Sequence, residues 1–231
     1  MAPAPFHVGF LLFPDITQLD MTGPYEVLTK LPGAVTHLVW KTLDPVVAGG
    51  GMRILPSTTY AACPQLDLVC VPGGAGMNPL LNDADTLAFL RRQAAGAKYV
   101  TSVCTGSLVL GAAGLLKGRK AATHWMSMDM LAAFGAIPTH ARVVVDGNVI
   151  TGGGVTAGID FGLTVAAEIG GPDLARAIQL SIEYDPHPPF GAGSPAGAGP
   201  ELTGRVVEMA KGRQAERAQA VAEAAARLNA G

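Results

Sequence analysis

Three observations predict an α/β fold, a mainly parallel sheet flanked by helices. Short apolar runs recur along the chain with helical stretches between them, the alternation expected of strands joined by crossover helices. One run, Leu66-Asp67-Leu68-Val69-Cys70-Val71, is almost continuously apolar and enters Pro72-Gly73-Gly74, as a strand buried on both faces does when it ends in a turn. Another, Tyr99-Val100-Thr101-Ser102-Val103, delivers Cys104 into Thr105-Gly106-Ser107 and a helical stretch. That is the pattern of a strand, a tight elbow and a helix start.

In chain order, strands are expected at Val8 to Phe13, Val35 to Trp40, Leu66 to Val71 and Tyr99 to Val103. Val143 to Val145 and Val149 to Thr151 then flank Asp146-Gly147, a hairpin signal because this pair suits a tight turn between twisted strands. Helices are expected at Thr22 to Lys30, Asp85 to Ala95, Gly106 to Ala113, Met126 to Phe134, Thr156 to Glu168 and Pro172 to Glu183. Residues 186–200, rich in Pro and Gly, read as an extended crossing segment. Residues 201–230 read as one C-terminal helix, with Leu202, Val206, Met209, Val221, Ala225 and Leu228 as its apolar stripe. The 231 residues suit one domain spanning 1–231.

Composition narrows the function. Hydrophobic residues make up 49% and charged residues 15%, as in a compact enzyme, and a net charge of −2 offers no attraction to nucleic acid or an anionic membrane. A small neutral ligand fits better. The three cysteines, Cys63, Cys70 and Cys104, form no CxxC pair and no zinc spacing. They suggest a reducing cytoplasm and no metal. The N-terminus lacks a basic region, and Val8 to Phe13 is too short for a signal core or a span.

In an open α/β sheet, ligands collect beyond the carboxyl ends of the strands. Three segments are expected to meet Cys104 there. At a helix start, the sulfur would face free backbone N–H groups and the positive helix end, which favour the nucleophilic thiolate. The competing reading is a buried structural cysteine. The first segment carries Asp20, either a helix N-cap or a proton-exchanging acid beside the thiol. The second is Gly73-Gly74, a plain turn or an anion hole made by the N–H groups of Gly74 and Thr105. The third is Thr151-Gly152-Gly153-Gly154-Val155-Thr156, a glycine run able to approach a ligand. No lysine follows as in a P-loop. His124 is the partner a Cys-His hydrolase would need, or else a core histidine, and Glu26 is a reserve acid.

With these segments in place, the chain resembles the ThiJ/PfpI superfamily over nearly its whole length. Gly9-Phe10-Leu11-Leu12-Phe13-Pro14, Gln18-Leu19-Asp20-Met21-Thr22-Gly23-Pro24, Ser102-Val103-Cys104-Thr105-Gly106-Ser107 and Thr151 to Asp160 are similar to its isocyanide-hydrating branch. The resemblance implies a flavodoxin-like sandwich with a nucleophile elbow. It also implies cofactor-independent hydration of an isocyanide to an N-substituted formamide through a cysteine thioimidate. Carried over residue by residue, Cys104 is the nucleophile, Asp20 the acid and Thr105 a holding group. Gly74, Gly154 and Val155 shape the substrate pocket, with Val155 standing where that branch tends to carry isoleucine. Many other members carry Glu near the cysteine, so Asp20 favours the hydratase. Members commonly dimerise, which implies a homodimer using the C-terminal segment. The alternatives are a Cys-His hydrolase or glyoxalase-like enzyme, or a non-enzymatic cysteine redox sensor. Related sequences also form the N-terminal half of AraC-type regulators.

Overall fold

The structure, a computed structural model, describes residues 4–230. Its main sheet has seven strands: β1 (Phe6–Leu11), β2 (Ala34–Trp40), β3 (Thr58–Thr59), β4 (Leu68–Val71), β5 (Tyr99–Val103), β6 (Val143–Asp146) and β7 (Val149–Gly152). They run in the order β6-β7-β5-β4-β1-β2-β3, and every pair is parallel except the β6-β7 hairpin. Strand β4 is buried throughout. The expected hairpin forms around Gly147, pairing Asp146 with Val149.

From β1 the chain steps outward to β2 and β3, then returns to β4 on the other side of β1. This reversal opens a crevice beyond the carboxyl ends of β1 and β4, the place where such sheets hold ligands. Helices α1 (Gln18–Leu28), α5 (Ala157–Gly170) and α6 (Pro172–Ser181) cover one face of the sheet. The other carries α2 (Met77–Leu80), α3 (Ala84–Gly96), α4 (Gly106–Ala112), a 3₁₀ segment (Trp125–Phe134) and α7 (Pro195–Ala230). Phe10, Phe13, Phe89 and Phe161 are fully buried between these layers. Among the described residues, no helix is long and apolar enough to cross a membrane.

Four expectations need correction. Helix α1 starts at Gln18, four residues earlier than expected, because Thr17 N–H donates to the Gly73 carbonyl (2.9 Å) and fixes the chain entering the helix. Residues 126–134 wind as 3₁₀ turns, which apolar spacing over so short a stretch does not separate from α turns. Residues 186–200 are not extended throughout. Ser194 Oγ accepts the Gly197 N–H (3.2 Å), and a helical turn starts at Pro195, the pattern of a cap followed by proline. Gly199, at φ 75°, then breaks the path before the long part of α7. Finally, Met209 is 87% exposed and lies off the buried stripe, which instead runs through Ala210, Arg217, Val221, Ala224 and Ala225.

One glycine holds the elbow against the sheet. A Cβ on Gly106 would lie 1.9 Å from the Val71 carbonyl oxygen and 2.6 Å from that of Pro72, both backbone atoms with little room to move. Gly106→Ala is therefore expected to destabilise the fold by at least about 3 kcal/mol, read as a lower denaturation midpoint with an unchanged slope.

Candidate active site

Cys104 follows β5 directly at φ 56°, in the left-handed region that non-glycine residues rarely adopt. Such a conformation costs about 1 kcal/mol or more and persists only where neighbours hold it. They do so here. Its N–H donates to the carbonyls of Gly152 (3.0 Å) and Gly153 (2.8 Å), and its carbonyl accepts from Thr123 Oγ1 (2.9 Å) and Ser107 Oγ (3.2 Å). The glycine run thus braces the elbow from β7, and the sulfur is directed into the crevice rather than into the helix layer.

Asp20 lies in the first turn of α1 and is fully buried. It is not the N-cap. Its Oδ2 accepts the Gly73 N–H (3.0 Å), while Oδ1 has no hydrogen-bond partner among the described residues. Burial pushes this carboxyl up to about 7, against the opposing effects of the Cys104 thiol and the Gly73 N–H. The thiol is pushed up as well, first by burial and then by the neighbouring carboxyl, although the Thr105 N–H favours its charged form. Burial beside Asp20 thus works against the thiolate that the helix start favours. Two adjacent buried acids resist holding two charges. The two therefore titrate as a coupled pair, in which a charge on either group makes ionisation of the other harder.

Gly73, rather than Gly74, makes this juxtaposition possible. A Cβ on Gly73 would lie 2.6 Å from Thr105 N and 2.8 Å from Asp20 Oδ2. The Gly74 N–H donates to Thr105 Oγ1 (3.2 Å), so it is not free to serve the anion hole expected from the sequence. Thr105 retains its N–H toward the sulfur and uses its hydroxyl to tie the Gly73-Gly74 turn to the elbow.

A cavity of about 310 Å³ opens onto Cys104, Thr105, Gly74 and Val155. Gly154 does not line it. That residue faces a neighbouring, more open cavity of about 540 Å³ across His124 and Val155, which border both. His124 makes no hydrogen bond to Cys104 among the described residues. Its Nδ1 accepts the Met126 N–H (3.3 Å) at the start of the 3₁₀ segment, and burial followed by Arg217 and Arg213 lowers its basicity. Glu26 is turned outward to Lys30 (3.0 Å) and is no reserve acid. Cys63 and Cys70 do not line this cavity, and burial pushes their thiols up to about 11 and about 12.

Among the lining residues not anticipated are three from α7, Arg213, Gln214 and Arg217. A sequence signal existed, since Arg217 occupies the same helical phase as Ala210, Val221 and Ala224. No group of three or more His, Cys, Asp or Glu side chains that could hold a metal occurs among the described residues.

Residues 7–168 match the DJ-1/PfpI family. The chain belongs to this family. Among its relatives, the isonitrile hydratase of Pseudomonas putida is 56% identical over 96% of this chain and 97% of its own length. A ThiJ/PfpI family protein from Pseudomonas syringae has a crystal structure that superposes with a TM-score of 0.91 and 46% identity, over 97% of this chain and 92% of that one. The transcriptional regulator GbdR of Pseudomonas aeruginosa is 30% identical over 78% of this chain but 51% of its own length. DJ-1/PfpI membership accounts for the mainly parallel, helix-flanked sheet. The family match ends within α5 and leaves α7 outside it.

Proposed function

We propose that this chain hydrates isocyanides, R–N≡C, to N-substituted formamides, with Cys104 as nucleophile and Asp20 as acid and base. The observation that carries the reading is the buried Cys104–Asp20 pair with a free Asp20 Oδ1. The 56% identity to the Pseudomonas putida isonitrile hydratase supports it.

The chemistry follows from one charge and one proton. The terminal carbon of an isocyanide must gain both a nucleophile and a proton. Cys104 sulfur, carrying the negative charge, forms a bond to that carbon, and Asp20 supplies the proton, giving a thioimidate, R–N=CH–S. Asp20 is then the ionised partner. It takes a proton from water as the oxygen adds to the same carbon, and the other water proton reaches nitrogen when the tetrahedral adduct collapses. The C–S bond breaks, R–NH–CHO leaves, and the pair regains its starting charge and proton. Covalent capture divides a hard addition into two easier ones, and the buried acid is tuned near the working pH. Thr105 N–H faces the sulfur at the start and end of the cycle. Val155 and Gly74 bound the space for R. No organic or metal cofactor enters this scheme. A homodimer belongs to the same reading, with Val207 and Met209 exposed on α7 for a second copy to cover.

The test is formamide formation from a simple aryl isocyanide under reducing conditions. Failure of the wild type with several isocyanides would overturn the proposal. A second expectation separates it from a Cys-His hydrolase: His124→Ala should leave kcat within about threefold, because the side chain caps a backbone N–H and makes no hydrogen bond to Cys104. The lost cap should still lower stability by about 1 kcal/mol. A collapse of kcat with unchanged folding would favour the Cys-His hydrolase instead.

A further inference from the structure

Helix α7 brings a buried cation to the catalytic cavity without a carboxylate to match it. Arg217 is 4% exposed. Its Nε donates to Asn78 Oδ1 (3.2 Å) and its Nη1 to Ser127 Oγ (3.1 Å), both neutral acceptors. No carboxylate forms an ion pair with it among the described residues. An uncompensated buried guanidinium is strongly unfavourable, and folds retain one where a counter-charge lies nearby. The acceptors on α2 and the 3₁₀ segment fix its orientation, and it lines the cavity onto which Cys104 opens.

We propose that Arg217 is a positioning residue for Cys104: its guanidinium holds the single negative charge of the Cys104–Asp20 pair on the sulfur and so leaves the proton on Asp20. Two features support an electrostatic rather than a packing role. Burial works against the charge on both Arg217 and Cys104, and against it each favours the charged form of the other, whereas Arg213 on the same helix opposes the charge on Arg217. The adjoining turn of α7 presents Gln214, whose buried amide oxygen has no partner. This helix face therefore turns polar groups toward the cavity contents. The groups facing Cys104 from all sides are Asp20 from α1, Asp15 from the loop before it, His124 before the 3₁₀ segment, and Arg213 and Arg217 from α7. Only Arg217 combines burial with a fixed positive charge.

The inference rests on the hydratase reading for its catalytic meaning, yet its test needs no isocyanide. Alkylation of Cys104 by iodoacetamide is followed across pH, with Cys104→Ala subtracting Cys63 and Cys70. Arg217→Met and Arg217→Gln should each slow alkylation at neutral pH about tenfold, equivalent to a rise of roughly one pKa unit, with the profile moving to higher pH. Arg217→Lys keeps the charge and should stay within about threefold of wild type. Methionine of similar volume in place of a buried ion is often neutral for folding. If Arg217→Met does not fold, the Gln and Lys pair decides the matter. In turnover, the neutral variants should lose kcat with KM unchanged, since the substrate is uncharged. Profiles of the Met or Gln variant that superpose on wild type would overturn the proposal. Normal alkylation shifts without isocyanide turnover would overturn only the hydratase reading.

Discussion

Cys104→Ala is expected to reduce isocyanide hydration to background, a loss of about 10⁴-fold or more, while the fold survives. The loss is large because the thioimidate route needs a bond to sulfur, and no other side chain lining the cavity can supply one. Partial catalysis by the remaining groups is not expected to be additive, because Asp20 acts on an adduct that would no longer form. The structural cost is small by comparison. Cys104 already holds a left-handed conformation, which alanine tolerates equally poorly, so the elbow strain is unchanged. Removing one buried sulfur should cost about 1 kcal/mol. Formamide production and thermal melting, measured on the same preparation, separate these effects. Turnover within tenfold of wild type would exclude a cysteine adduct.

The sheet was readable because its central strands are buried on both faces. Leu68 to Val71 is apolar throughout, Tyr99 to Val103 begins and ends with apolar residues around buried Thr101 and Ser102, and glycine-bearing turns follow both. Local chemistry of this kind is written locally. The elbow was readable for the same reason: small residues after Cys104 are required where Gly106 meets the Val71 carbonyl. What failed depended on contacts between distant segments. The start of α1 is set by the Gly73 carbonyl, 56 positions from Thr17 along the chain, and no residue within the helix announces it. The charge state of Cys104 likewise depends on a carboxyl 84 positions earlier. Helix-start geometry favours a thiolate, and burial beside Asp20 opposes it.

The contribution of α7 illustrates a different limit. Its apolar stripe is visible as periodicity, and a cation in the same phase reads as an exposed side chain unless the neighbouring elements are known. Asn78 and Ser127 receive Arg217 from segments 139 and 90 positions away. The family match stops before this helix, and the elbow, Asp20 and the glycine run all lie within it. The wall opposite the nucleophile required the assembled fold.

Asp20→Asn should lower turnover about 10³-fold, within the usual range for a lost general acid, and should change the pH dependence of stability in a defined direction. Asparagine can still accept the Gly73 N–H, so the hydrogen bond at Oδ2 has a replacement, but it has no acidic proton to give the isocyanide carbon. The folded carboxyl titrates at about 7, above its ordinary value of 3.8. The folded state therefore binds the proton more tightly than the unfolded chain. Its contribution to stability is fully present below pH 3.8 and is lost as pH rises toward about 7, where ionisation in the interior becomes unavoidable. The variant lacks this titration. Relative to wild type it should gain stability between about pH 4 and about pH 7, by a few kcal/mol, and the difference should then level off. Denaturant unfolding at several pH values reads this directly. A difference that is flat with pH would mean that Asp20 is already ionised in the folded protein across this range, which would remove it as the proton donor even if the variant were inactive.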